Sequence, residues 1–161
     1  MNSADDFRAA MRNWTSGVAI ATSIVNGSAH GMTISSFTSV SAEPPMVTVS
    51  LAKHTRTLER VLESGVLGIS VLSLDQQWMA ERFAGKEGNL PDQFAGIKTF
   101  TLQSDVPMID GGLAYFDCKL AHQYDMPSSI LLVLTVLEIQ IGHSQTALIY
   151  GDRKYGTVKF L

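Results

Sequence analysis

The sequence lacks the features of several large protein classes. Its one cysteine, Cys118, excludes an internal disulfide framework and fits a reducing compartment. Only 17% of the residues are charged and the net charge is −3, so neither nucleic-acid binding nor attraction to an anionic membrane is indicated. No basic-then-apolar signal segment follows Met1, and the longest apolar run (130–136) is far shorter than the roughly 20 residues that span a bilayer. These absences predict a soluble, cytoplasmic protein.

Motifs of metal and nucleophilic chemistry are missing as well. The four histidines are scattered without HxxH, HExxH or CxxC spacing, so no metal site is expected. Cys118 lies within an extended segment, where a small buried hydrophobic role is favoured over a nucleophilic one. The sequence has no GxSxG motif and no Walker motif. We therefore assign no catalytic acid, base, nucleophile or metal ligand.

Short extended segments separated by turns make up most of the chain. Its 161 residues suit a single domain, 1–161. Asn26-Gly27 predicts an antiparallel hairpin between Val18–Val25 and Ala29–Val40. Three short helices are expected, over 3–14, after Thr55 and after Ser73, and the first carries an apolar stripe: Phe7, Ala10, Met11 and Trp14. This pattern predicts a mainly β protein, a closed antiparallel β-barrel with helices at its ends.

The stretch from His30 to Ser50 is unusual for a strand because it is rich in hydroxyl groups. It leads to Lys53 and Arg56 at the start of the second helix, where free N–H groups and the helix dipole favour an anion. Backbone groups of 33–36 and 50–52 would read a planar polar ring, and the hydroxyls would hold a polyol or ribityl chain. The alternative is a solvated strand face with ordinary surface charges.

Several motifs of this chain resemble those of the short-chain flavin reductase family, the FMN-binding split-barrel reductase components of two-component monooxygenases. The resemblance runs from Phe7 to about Phe160. The segments that carry it are FRxAMRxWxSGV from Phe7, HGMTxSSFTSVSxxPP from His30, VxVSLAKxxRT from Val47, and the block from Gly65 to Gly85.

The resemblance implies a homodimeric split barrel of antiparallel Greek-key type. It also implies an NAD(P)H-dependent flavin reductase that transfers hydride from nicotinamide to FMN or FAD and supplies reduced flavin, by diffusion, to a partner monooxygenase. FMN is expected with FAD as the alternative, and NADH is favoured over NADPH because no Arg cluster marks a 2′-phosphate pocket. Residues implied for the isoalloxazine and ribityl groups are Met32, Thr33, Ile34, Ser35 and Ser36. Those implied for backbone contacts are Ser50, Leu51 and Ala52, and those for the phosphate are Lys53 and Thr57, with Arg82 and Phe83 close by.

One segment departs from the family pattern. Family members commonly carry Gly-Asp-His before the late strand, with the His at the nicotinamide site, whereas residues 123–129 here contain no histidine. His143, or Arg153 and Tyr155 of the family's R-x-Y ending, would serve the nicotinamide instead; the alternative for His143 is a surface-turn residue. The departure motivates a second hypothesis: a flavin-binding split-barrel protein without efficient NAD(P)H reduction, acting as a flavin carrier or flavin-dependent oxidase.

Overall fold

The computed structural model describes residues 3–161, which form twelve strands, three α-helices and one 3₁₀ turn, Leu74–Gln76. The helices are α1 (Ala4–Met11), α2 (Arg56–Ser64) and α3 (Gln77–Phe83). The strands are β1 (Ser16–Gly17), β2 (Ala19–Val25), β3 (Ser28–Ile34), β4 (Thr38–Ala42), β5 (Pro45–Ala52), β6 (Val66–Val71), β7 (Thr99–Phe100), β8 (Met108–Ile109), β9 (Ala114–Asp125), β10 (Ser129–Ile141), β11 (Ile149–Gly151) and β12 (Lys154–Gly156). No helix within 3–161 has the length and apolar character needed to cross a membrane.

Seven of the strands form one antiparallel sheet in the order β3-β2-β6-β9-β10-β5-β4. Strands β1, β11 and β12 form a separate, smaller sheet in the order β1-β11-β12. The predicted mainly β fold with flanking helices is therefore confirmed. The predicted hairpin is confirmed too: Val25 pairs with Ser28, and Asn26 and Gly27 both have positive φ, as a two-residue hairpin turn requires.

The two edges of this sheet meet where the chain passes from β3 to β4. The sequence predicted one strand over Ala29–Val40, but β3 ends at Ile34 and β4 begins at Thr38. No ladder joins β3 to β4 in the described part of the chain, so the closed barrel predicted from the strand pattern is wrong, whereas the split barrel implied by the family resemblance is confirmed. The physical reason lies in residues 35–37, where a serine hydroxyl takes the place of a strand partner: Ser36 Oγ accepts from Ser50 N–H and donates to Ser50 C=O, both at 3.0 Å.

Two hydrophobic clusters hold these elements. The larger fills the curled sheet under α2 and includes Leu51, Leu67 and Leu132, each fully buried. The second lies under α3 and includes Ile20 and Phe83. Along β2, alternate side chains enter different clusters, because successive side chains of a strand point to opposite faces.

Helix α1 begins near the predicted start but ends at Met11, before the predicted end at residue 14. Ser3 and Asp6 form a capping box at its start. The apolar stripe, however, does not face the core: no residue of α1 is buried, and Phe7 and Trp14 are 66% and 71% exposed. The 3.6-residue periodicity correctly predicted a helix with one apolar face, but it carries no information on what that face contacts.

The second half of β10 also leaves apolar surface uncovered. Pairing with β5 ends at Thr135, whereas β10 continues to Ile141. Beyond that point Leu137, Ile139 and Ile141 are exposed. This half of β10 thus presents an edge that no strand within 3–161 covers on the β5 side, together with an apolar stripe.

Candidate functional site

Part of the predicted flavin site lies on an open edge of β5, which we call the hydroxyl wall: Ser35, Ser36, Ser50, Ala52 and Lys53. Ser36 bonds both backbone groups of Ser50, so those groups point toward the β4 side of β5. Alternate residues of a strand share an edge, which places Ala52 N–H on the same side. The β4 pairing ends at Thr48, so this N–H lies on an edge that no strand of residues 3–161 covers.

Lys53 stands at the end of the hydroxyl wall and is already paired. Its Nζ lies 2.7 Å from Asp125 Oδ1, and its N–H donates to Ser128 C=O at 3.1 Å. Asp125 and Ser128 belong to the β9–β10 turn segment, the same segment that lacks the family's histidine. Lys53, the cation expected to bind the flavin phosphate, is therefore bonded to the segment that departs from the family's Gly-Asp-His pattern.

Three other residues predicted near the flavin turn their side chains inward. The side chains of Ile34 and Leu51 are buried in the larger hydrophobic cluster, and the alternation along β5 directs the backbone groups of Leu51 toward β10, away from the wall. Thr57 is fully buried, and its Oγ1 lies 3.0 Å from His30 Nδ1. Burial, followed by the charges of Arg60 and Arg56, lowers the pKa of His30. In this conformation the hydroxyl of Thr57 is engaged with His30 and offers nothing to a phosphate.

Arg82 and Phe83 also have structural partners. Arg82 Nε donates to Glu87 Oε2 at 3.1 Å, and an Nη donates to Ala95 C=O at 2.8 Å. Its guanidinium lies 5.0 Å from the centre of the Trp78 ring. Phe83 is 3% exposed in the second cluster. These contacts fasten α3 to the following loop and leave neither side chain free.

Met32 and Thr33, on β3, face the interior of the molecule. Met32 packs against the larger cluster, and Thr33 Oγ1 donates to Ala80 C=O of α3 at 2.6 Å. Thr33 also lines a cavity of about 230 Å³ together with Ser35 and Tyr155. Burial raises the pKa of the Tyr155 phenol. The cavity therefore extends from Ser35 of the hydroxyl wall to Tyr155, the tyrosine of the R-x-Y ending.

The three residues predicted for the nicotinamide separate in the structure. His143 is exposed after β10, where the neighbouring Ser144 donates to Gly111 C=O at 2.8 Å, and it lines none of the cavities described here. Arg153 lies in the turn between β11 and β12 and lines a larger cavity with Ser35 and Ser36. The structure thus brings Arg153 and Tyr155, but not His143, to the neighbourhood of the hydroxyl wall.

This larger cavity, about 770 Å³, lies between α1, the 35–38 loop and the β11–β12 turn, and we call it the helix groove. Its lining includes Arg12, Trp14, Ser35, Ser36, Tyr150 and Arg153. Arg12, Trp14 and Tyr150 were not predicted as site residues. The first two belong to the first family motif, and the periodicity interpretation assigned Trp14 to the apolar stripe of the first helix.

Comparisons with known proteins agree on one family. The flavin reductase like domain model matches residues 11–159. A protein named actinorhodin polyketide dimerase, from Streptomyces coelicolor, is 32% identical over 152 residues, 94% of this chain and 84% of that protein. FMN reductase (NADH) RutF 2, from Methylorubrum extorquens, is 30% identical over 153 residues, 95% of this chain and 88% of that protein. The structure of BorF, the flavin reductase component of a bacterial two-component tryptophan halogenase, superposes with a TM-score of 0.89 at 28% identity, covering 99% of this chain and 100% of BorF.

Proposed function

The chain belongs to the flavin reductase-like domain family, and from that premise we propose that it is an NAD(P)H-dependent flavin reductase. In this proposal it oxidises a reduced nicotinamide, reduces FMN or FAD, and releases the reduced flavin to a separate monooxygenase. The relatives named as an NADH-dependent FMN reductase and as the reductase component of a two-component halogenase support this assignment.

The single observation that carries the proposal is the hydroxyl wall. It offers an uncovered backbone donor at Ala52, an exposed hydroxyl at Ser35, and a cation at Lys53. A flavin needs a polar edge for its ring, hydroxyl partners for its ribityl chain and positive charge for its phosphate, so the residues present fit the group. Ser36 and Thr33 act as positioning residues, because their hydroxyls hold the loop against β5 and β3 against α3.

The chemistry that bound flavin supplies is acceptance of a hydride from the nicotinamide. What this chain contributes is proximity and orientation, since no side chain on the wall is placed as a general acid or base. The β5 edge would hold the flavin ring, and the nicotinamide would approach from the open side next to the 35–38 loop. We propose FMN as the preferred flavin and NADH as the preferred donor.

We further propose a homodimer that works in the cytoplasm. The uncovered second half of β10, with Leu137, Ile139 and Ile141, supports the dimer because it combines an open strand edge with exposed apolar side chains. The free, buried thiol of Cys118 suits a reducing compartment. Light scattering coupled to gel filtration tests the dimer: a monomer at micromolar concentration contradicts it.

The activity is tested by measuring NADH and NADPH oxidation with FMN, FAD and riboflavin in turn. Riboflavin lacks the phosphate, so Lys53→Gln should weaken FMN about tenfold and leave riboflavin unchanged, given the usual worth of a charged hydrogen bond. Lys159→Gln, an exposed lysine near the end of the chain, removes the same charge and serves as the matched control. If bound flavin stays oxidised for seconds with both donors, the reductase proposal is wrong.

A second candidate is a flavin-binding protein that does not use NAD(P)H efficiently. The β9–β10 turn favours it, because Tyr124 and Met126 are exposed there in place of the family's histidine. A relative named as a polyketide dimerase rather than a reductase also motivates it. Retention of flavin through gel filtration, with negligible oxidation of NADH and NADPH, would select this candidate over the first.

A further inference from the structure

The segment between α3 and β7 contains no helix or strand, and we call its residues 85–96 the strap. It begins and ends at glycines in the left-handed region, Gly85 at φ 82° and Gly96 at φ 74°. Nothing lies within 4 Å of a Cβ added at either position, so these glycines serve the backbone conformation and not close packing. Most strap residues are exposed, and only Leu90, Gln93 and Phe94 are partly buried. Few side chains therefore hold the strap in place.

Gln93 fastens the strap to the outer edge of β3. This strand is at one end of the seven-stranded sheet, so no strand within 3–161 pairs with that edge. The Gln93 side chain takes the place of a strand at one residue: its Oε1 accepts from Gly31 N–H at 3.2 Å, and its Nε2 donates to Gly31 C=O at 3.2 Å. A side-chain amide offers both an acceptor and a donor, so it satisfies both backbone groups of Gly31. We call this pair of hydrogen bonds the latch.

The latch lies beside the split between β3 and β5. His30, next to Gly31 in β3, has its Nδ1 3.0 Å from Thr57 Oγ1 at the start of α2. Two residues earlier, Thr55 donates its N–H to Ala52 C=O at 3.2 Å. The start of α2 therefore connects the β3 edge at Gly31 with the Ala52 end of the hydroxyl wall. The strap thus borders the same part of the split as the hydroxyl wall does.

The start of the strap also borders the smaller cavity next to the hydroxyl wall. Lys86 lines this cavity of about 230 Å³ together with Thr33 and Ser35. Its Nζ lies 5.3 Å from the centre of the Tyr155 ring and 3.1 Å from Glu81 Oε1. The Lys86 side chain is 58% exposed, so this ion pair adds little to the hold on the strap. Movement of the strap would widen the cavity and free the β3 edge at the same time.

The strap can open without unfolding of the sheet. Both latch bonds join uncharged groups, and the net contribution of such a bond to stability is modest. The other attachments are the bond from Arg82 to Ala95 C=O at 2.8 Å and the contact of the Phe94 ring with Phe83. Segments with few buried apolar contacts open locally while the rest of the protein stays folded.

We propose that the strap gates the flavin site, with Gln93 as the positioning residue that holds it closed, so that flavin enters and leaves while the latch is broken. The identity of the gated ligand rests on the proposed function, whereas the latch is a property of the chain alone. A reductase that passes reduced flavin to a separate monooxygenase must release it in every cycle, and lid opening often limits such a step.

Gln93→Leu tests the latch in the full chain, because it removes both hydrogen bonds at a similar side-chain size. Exchange of the Gly31 amide hydrogen with deuterated solvent, followed by NMR, should become about tenfold faster. Gln103→Leu makes the same change at an exposed glutamine of another loop and should leave this rate unchanged. Gly96→Ala is an independent variant: it keeps Gln93 but strains the closed strap at a left-handed position, so Gly31 should again exchange about tenfold faster.

Gating has a kinetic signature that a flavin contact lacks. Stopped-flow fluorescence of FMN, mixed with the protein at several concentrations, gives kon and koff. A gate affects entry and exit equally, so Gln93→Leu and Gly96→Ala should each raise kon and koff about tenfold and leave Kd unchanged. Loss of a direct flavin contact would instead raise koff alone and weaken Kd.

Unchanged Gly31 exchange in Gln93→Leu overturns the latch, and faster exchange with unchanged kon and koff overturns the gate. A rise in koff alone also overturns the gate, because Gln93 would then be a binding residue. Failure of the reductase proposal is a separate result: FMN binds with the expected rates while NADH and NADPH are not oxidised. If FMN does not bind at all, the gate is overturned together with the flavin site, and Gly31 exchange still decides whether the latch exists.

Discussion

Gly31→Ala tests how tightly the hydroxyl-rich strand β3 packs on α3. A Cβ at Gly31 would lie 2.8 Å from Phe83 Cε1, 2.9 Å from Phe83 Cδ1 and 3.2 Å from Thr22 Cγ2. The Phe83 ring has little freedom to move, because it is 3% exposed and packs edge-to-face on Phe94 with 5.2 Å between ring centres. Overpacking of this kind costs about 1–3 kcal/mol, and the lost flexibility of the unfolded chain returns about 0.4–1 kcal/mol. We expect a net loss of about 1–2 kcal/mol in the free energy of unfolding, from the difference between these two effects.

Urea unfolding followed by far-UV circular dichroism, at one fixed protein concentration, measures this loss. Gly17→Ala is the matched control: it makes the same chemical change in a strand, and nothing lies within 4 Å of the added carbon. Phe83→Leu provides the rescue, because it shortens the ring that the new methyl group strikes. The double variant should recover about 0.5–2 kcal/mol relative to the sum of the single changes, as contacting residues usually couple.

The same variants decide between two roles for Phe83. If Phe83 is a core residue, Phe83→Leu lowers stability but leaves FMN affinity unchanged. A tenfold loss of FMN affinity in a folded Phe83→Leu protein would indicate that Phe83 lies at the flavin site, as the family resemblance implied. The packing argument is refuted if Gly31→Ala is as stable as Gly17→Ala, or if Phe83→Leu does not relieve its cost.

Three further predictions concern buried or partly buried groups outside the hydroxyl wall. The pKa of His30 is lower in the folded protein than in the unfolded chain, so protonation favours unfolding and stability falls as pH drops below about 6.5. Between about pH 7.5 and 5.5, urea unfolding should show a smaller loss of unfolding free energy in His30→Gln than in the unchanged protein. Equal losses in the two proteins contradict this prediction. Ser104 donates to the fully buried carboxylate of Asp117 through N–H at 2.6 Å and Oγ at 2.7 Å, so Ser104→Ala should cost about 1.5–3 kcal/mol in the same assay. Burial raises the pKa of Cys118 to about 12, so a thiol reagent at about pH 8 should label it only after unfolding, and rapid labelling of the folded protein argues against the placement.

Local sequence signals were sufficient for much of the fold. Asn26-Gly27 placed the first hairpin, since few residues accept positive φ at both turn positions. Gly65 ends α2 in the left-handed conformation that glycine favours after a helix. Apolar and polar residues alternate along β5, and Val47, Val49 and Leu51 are accordingly buried on one face. These features depend on neighbours in the chain, which a sequence shows directly.

Long-range partners were beyond the reach of the sequence. The pairing of Lys53 with Asp125 and the contact of Thr57 with His30 depend on how separate strands and helices approach one another. The same applies to α1, whose apolar face borders the helix groove. Periodicity reports which side of a helix is apolar, whereas its partner depends on tertiary packing.

The structure limits what several of the flavin-site residues implied by the family resemblance can contribute to a ligand. Leu51 and Ile34 bury their side chains in the core, the backbone groups of Leu51 point toward β10, and Ser36 uses its hydroxyl on β5. A site that works through a strand edge tolerates many side-chain changes, because the edge persists as long as the strand is paired on its other side. Lys53 is the exception: if it holds the flavin phosphate as proposed, that phosphate competes with Asp125 for its charge. Under this proposal, binding of a phosphorylated flavin is coupled to the β9–β10 turn, the segment in which the chain departs from the family's Gly-Asp-His pattern, so a change at Asp125 should alter the affinity for FMN and not that for riboflavin.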